Sequence, residues 1–178
     1  MLQEINQSTL ERAIIFSVNA HAGQKRKGDG RPYILHPLSV MFRIDKNKKS
    51  TNRYLLAVAA ILHDTVEDCG ITLQQIADEF GFQVAALVDE LTLDKTKYGL
   101  LGKKEYLAQE LYGMSSYALA IKLCDRLDNL EDMENMPESF QQKYKEETLY
   151  ILDHIKTRKF TGTHRKLLKQ INKVLNKY

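Results

Sequence analysis

Six side chains able to bind a metal or move a proton fall in three short stretches of the chain: His36, then His63, Asp64, Glu67 and Asp68, then Asp125. The middle group follows the run from Tyr54 to Leu62, apolar almost all round, so it stands at the end of a helix that must be buried. Charges in such a place need partners or a metal. At four-residue spacing His63 stacks on Glu67, and Asp64 on Asp68. Adjacent on the helix, His63 and Asp64 diverge by about 100°, so both can meet one ion only near the helix edge, with other elements completing the shell. Two residues stand out as further ligands: His36, wedged between Leu35 and Pro37, and Asp125, four residues before Asn129 in the apolar run from Ala118 to Leu130.

Each residue alone has a plainer reading. His36 reads as a core histidine, His63 with Asp64 as a hydrogen-bonded pair at a helix end, Asp125 as the partner of Lys122 or Arg126, and Glu67 with Asp68 as solvated charges. As a set, two imidazoles and two carboxylates offer nitrogen and oxygen to manganese, iron, cobalt or zinc and leave room for water. Calcium and magnesium would draw more oxygens.

The elements that must position these groups read as helices throughout, with no strand alternation, linker or repeat. Ser8 to Glu11 has the pattern of a capping box opening a helix towards Ala22, with Leu10, Ile14 and Val18 on one face. Gly23 to Pro32 carries Gly28, Asp29 and Gly30 among Lys25, Arg26, Lys27 and Arg31, a tight basic loop. Pro37 suits a first helical turn, and 46–52 is a polar stretch. Thr72 with Gln75 makes a second capping box, Gly81 stops that helix, and Val84 to Leu91 resumes the pattern. Residues 91–99 read as a polar loop. Helices follow over 103–111, 117–135, 140–156 and 163–176, broken at Gly113, Pro137 and Gly162. The last of them is an amphipathic closing helix.

Composition narrows the function. At 178 residues, 43% hydrophobic and 28% charged, the chain has globular composition and the size of one domain over 1–178, with its motifs in 21–130 and closing helices over 140–178. A net charge of +3, from 26 basic and 23 acidic side chains, is too even for a nucleic-acid binder. No apolar run approaches the roughly 18 residues that span a bilayer, so no membrane partner is expected. Cys69 and Cys124 make no metal-pair or disulfide spacing, which points to a reducing cytoplasm.

Four strings in order resemble the hydrolase domain of the RelA/SpoT homologues, a branch of the HD superfamily, over Leu10 to Leu152. They are Gly23-Gln24-Lys25-Arg26-Lys27, Pro32-Tyr33-Ile34-Leu35-His36-Pro37, Leu62-His63-Asp64-Thr65-Val66-Glu67-Asp68, and Ile121-Lys122-Leu123-Cys124-Asp125-Arg126-Leu127-Asp128-Asn129-Leu130. The resemblance implies an all-α HD helical bundle with a central metal site, where His36, His63, Asp64 and Asp125 hold one manganese ion. It implies hydrolysis of the 3′-pyrophosphate of the alarmones ppGpp and pppGpp. By the same resemblance Glu67 and Asp68 are the acid/base pair, Asn129 lies on the nucleotide side, and Arg26 meets the guanosine. Because the chain ends at Tyr178 with no synthetase domain following, it is similar to the small stand-alone alarmone hydrolases. The basic loop is one residue longer than usual and Cys69 replaces a frequent threonine, departures that bear on nucleotide preference.

Charge supports the assignment of the loop. Two ligand carboxylates neutralise a divalent ion, and Glu67 with Asp68 leave the pocket negative, so a pyrophosphate needs added cations. Each one about 5 Å from a phosphate recovers about 3 kcal/mol at an effective dielectric near 20, before desolvation. Arg26 and Lys27 are the candidates, and only the arginine can lay a planar guanidinium on a purine. Lys95 and Lys122 are further possible phosphate contacts. The competing functions are an HD hydrolase for another 2′- or 3′-phosphorylated nucleotide, a non-catalytic alarmone-binding module, and a basic helical nucleic-acid binder.

Overall fold

The computed structural model describes residues 5–178 apart from 49 and 51, and only the backbone of 95. Among these residues there are eleven α-helices, one 3-10 turn over Asp132–Asn135 and no strand beyond an isolated bridge between Lys25 and Pro32. This is the expected all-α class. The chain divides into two compact units, Met1–Arg26 with Gly30–Thr92 and Lys27–Asp29 with Leu93–Tyr178.

The first unit holds α1 (Gln7–Ala20), α2 (Leu35–Asn47), α3 (Arg53–Leu62), α4 (Thr65–Cys69), α5 (Leu73–Phe80) and α6 (Phe82–Leu91). Its centre is α3, where every side chain from Leu56 to Leu62 is buried, and α1, α2 and α6 pack on it. The apolar-all-round run thus did mark a helix with no solvent face. Phe16 and Phe80 meet edge to face at 5.3 Å between α1 and α5, a geometry that aromatic quadrupoles favour.

Helix ends follow local chemistry. Asn6, in extended conformation, caps α1 by accepting from the backbone N–H of Thr9, whose side chain returns the bond. The cap therefore lies two residues before the expected Ser8, on a residue type that caps as well as serine does. Thr72 and Gln75 form the expected capping box on α5, and Gly81 ends it with φ +90°, a conformation that a Cβ would strain. Pro37 lies inside the first turn of α2, which starts at Leu35, and its missing N–H is one the helix cannot use there.

The end of α3 departs from expectation. The helix stops at Leu62 and a separate five-residue helix, α4, begins at Thr65. Three successive carbonyls of the last turn leave the helical ladder and are each taken by a side chain: Ala60 by His63 Nδ1 (2.8 Å), Ile61 by Ser17 Oγ (2.8 Å) and Leu62 by Thr65 Oγ1 (2.7 Å). His63 and Asp64 therefore sit in a turn, and the 100° divergence expected of one continuous helix does not hold.

The second unit holds α7 (Lys95–Leu101), α8 (Lys103–Gly113), α9 (Ser116–Glu131), α10 (Glu138–Ile155) and α11 (Gly162–Leu175). Its central helix is α9, against which α10 and α11 pack, while α8 packs on α7 and α10. Residues 91–99 are not all loop. Asp94 caps α7 by accepting from the N–H groups of Thr96 and Lys97, and those bonds hold its carboxyl below the usual range. Thr161 and His164 form a capping box on α11, and His164 Nε2 donates to the carbonyl of Ser116 at 2.8 Å, tying α11 to the start of α9.

Candidate metal centre

His63 is held by its own helix. Its Nδ1–H donates to the Ala60 carbonyl at 2.8 Å, which leaves Nε2 as the lone-pair nitrogen. That nitrogen is buried and, among the described residues, is the one buried side-chain nitrogen or oxygen without a hydrogen bond. Asp64 Oδ2 lies 3.1 Å away, but the approach lacks the alignment of an N–H···O bond. Two acceptors facing each other at that distance repel unless a cation joins them.

His36 completes the group in this unit. It is 3% exposed on the first turn of α2, its Nε2 lies 3.7 Å from the same Asp64 oxygen, and its ring centroid is 5.3 Å from that of His63. Two imidazoles thus converge on one carboxylate oxygen, with the tautomer of His63 set by a backbone acceptor, as metal-ligating histidines generally are. The donor set fits a borderline divalent ion.

Tyr33, quoted in the motif but given no role from the sequence, proves to be part of the site. Its hydroxyl donates to Asp64 Oδ2 at 2.7 Å, and its ring lies 5.0 Å from His21, 5.8 Å from His36 and 5.8 Å from the Arg26 guanidinium. The last is cation–π range, so Arg26 is half-buried against this ring rather than spread into solvent. The spacing of Tyr33 three residues before His36, across a turn, was the signal available.

His21 and Gln24 form a second group with no assigned role from the sequence. His21, 2% exposed, points Nδ1 at Gln24 Oε1 (2.8 Å), while Gln24 Nε2 donates to the Asp68 carbonyl at 3.1 Å. The root of the basic loop is thereby pinned to α4, which carries Glu67, half-buried, and Asp68, exposed. Cys69 Sγ also lies 3.2 Å from His21 Nδ1, and burial, then the charge of Asp68, push its thiol pKa up, which fits a packing role.

In the second unit, Asp125 is 8% exposed on α9, 3.0 Å from Lys122 Nζ, and accepts from Asn129 Nδ2 at 2.5 Å. Lys122, one of the two partners considered for Asp125, is thus within ion-pair range of it. Arg126 reaches Thr148 Oγ1 (2.9 Å) and Glu147 (3.1 Å) and lies 4.9 Å from the Tyr144 ring. Burial raises the Tyr144 pKa to about 12 against the lowering effect of that guanidinium. Lys27 is exposed beside Gly28, whose φ is +105° and whose absent Cβ would lie 2.9 Å from Met136 Sδ. The side chain of Lys95 lies outside the described residues.

The HD domain family model matches residues 13–160. The mouse protein named guanosine-3′,5′-bis(diphosphate) 3′-pyrophosphohydrolase MESH1 is 40% identical over 125 residues, 70% of this chain and 69% of that one. The chain spans only about a fifth of its longer relatives: a probable GTP pyrophosphokinase of Mycobacterium leprae is 37% identical over 150 residues, 83% of this chain and 19% of that one. Among solved structures, one described as a metazoan ortholog of SpoT that hydrolyzes ppGpp superposes with a TM-score of 0.82 at 25% identity, covering 98% of both chains. With the family pattern matched over most of its length and the histidine–aspartate pair in the turn after α3, the chain belongs to the HD domain family.

Proposed function

We propose that this protein is a manganese-dependent hydrolase that removes the 3′-pyrophosphate of ppGpp and pppGpp, releasing pyrophosphate with GDP or GTP and so lowering alarmone levels. The observation that carries the reading is the buried His63 Nε2 facing Asp64 Oδ2 at 3.1 Å without a hydrogen bond, an arrangement that asks for a cation. The choice of substrate is supported by the 40% identity to an enzyme named for that reaction. In this reading His36, His63 and Asp64 hold the ion with Asp125 as the fourth ligand. When bound, a divalent ion supplies Lewis-acid charge and lowers the pKa of water from about 15.7 towards neutrality.

The other roles belong to the chain. Glu67 and Asp68 form one coupled proton-handling pair, which takes a proton from the attacking water and returns one to the ribose 3′ oxygen as the bond from that oxygen to phosphorus breaks. Both carboxylates end as they began, so water adds across the bond and pyrophosphate leaves. Arg26, seated on Tyr33, offers its plane to the guanine base. Lys27 offsets charge on the pyrophosphate, and Asn129, held by Asp125, contacts the nucleotide.

The test is pyrophosphate release from ppGpp by the purified protein with manganese, after chelation, and with GDP as a substrate lacking the 3′ group. Release from ppGpp alone, lost on chelation and restored by manganese, is expected. Binding of metal without release would move the search to other 2′- or 3′-phosphorylated nucleotides.

A further inference from the structure

Tyr33 is half-buried, and a tyrosine in that position ordinarily turns its polar tip to water and its ring inward. Here the hydroxyl points inward, donating to the carboxylate oxygen that both His36 and His63 approach, while the ring lies against Arg26. An ionised carboxylate oxygen has more than one lone pair, so Asp64 can accept this proton and still face a cation. Asp64 occupies the two-residue turn between α3 and α4, makes no side-chain cap on α4, and has Tyr33 as a short side-chain donor.

We infer that Tyr33 is a positioning residue with two ends: the hydroxyl sets the Asp64 carboxylate for the metal, and the ring seats the Arg26 guanidinium for the substrate. This rests on the proposed centre and adds to it a link between metal binding and nucleotide binding through one side chain. Loss of an outer partner of a ligand generally costs 10- to 100-fold in metal affinity, which sets the expected size of the hydroxyl's effect.

Two variants separate the ends. In Tyr33→Phe the ring stays and the hydroxyl goes, so manganese titrated into the metal-stripped protein should bind about 10- to 100-fold more weakly, while KM for ppGpp at saturating manganese stays within twofold of wild type. In Tyr33→Leu both are lost, and KM should also rise several-fold. Thermal melting of both metal-stripped variants controls for folding, and Tyr33→Phe, which keeps the packed ring, remains decisive if Tyr33→Leu unfolds. Manganese affinity within twofold of wild type in Tyr33→Phe overturns the proposal. Because the titration needs no nucleotide, failure to hydrolyse ppGpp would defeat the proposed function and leave this measurement standing.

Discussion

His63 owes its role to a hydrogen bond made with the other side of its ring. With Nδ1–H committed to the Ala60 carbonyl, Nε2 faces Asp64 as an acceptor. Asp125 is proposed as a ligand and Glu67 as a proton carrier, and the two roles separate experimentally. Asp125→Ala should abolish manganese binding and turnover together, with Asp125→Asn as the isosteric check, since Asp125 also pairs with the buried Lys122. Glu67→Gln should keep manganese affinity and lower kcat by about 10²- to 10⁴-fold. Equal metal loss in both, read by titration calorimetry, would merge the roles. Tyr144 offers a test in the second unit. Its folded pKa, about 12, lies above the ordinary 10, so the neutral form is favoured on folding. The stability this lends is complete below pH 10 and is lost as pH rises towards 12. Denaturant unfolding at pH 9 and pH 11.5 should show wild type losing about 2 kcal/mol more than Tyr144→Phe across that interval.

At the scale of elements, much was legible because local signals and tertiary demands agreed. The unbroken apolar run at 54–62 became a helix buried on every side from Leu56 to Leu62, and the Thr72 and Gln75 box and the Gly81 stop appear where the residues place them. The break between α3 and α4 was not legible. No glycine or proline marks it, and one of its three carbonyl partners, Ser17, is 44 residues away in sequence. The same holds for the link from Gln24 to the Asp68 carbonyl and the hydroxyl of Tyr33 on Asp64, contacts made by chain segments that meet only after folding. Helix α7 was missed for a different reason: Asp94 is a good cap, but the seven residues after it bury nothing among those whose side chains are described, so no apolar face announced it. The capped break makes its own prediction. Thr65→Val keeps the shape but strands the Leu62 carbonyl, at a cost of about 1–3 kcal/mol in denaturant unfolding. A loss under about 0.5 kcal/mol would mean that the helix end is held by Ser17 and His63 alone.

The whole chain should report the ion through its stability. A ligand that binds only the folded state stabilises it by about 2.7 kcal/mol at one hundred times its dissociation constant. For a protein of this length that corresponds to a rise of roughly 5–10 °C in melting temperature. Manganese should produce this shift in wild type, and Asp125→Asn should abolish it. No described helix is long and apolar enough to cross a membrane. The same folded chain, without its ion, keeps a buried nitrogen that nothing in the protein satisfies. Such an atom costs about 1–3 kcal/mol, and a smaller apolar residue there would spare the fold that expense. Selection acting on stability alone would have removed it. On the proposed function, His63 marks a position where robustness is traded for activity, and where a stabilising mutation should be sought last.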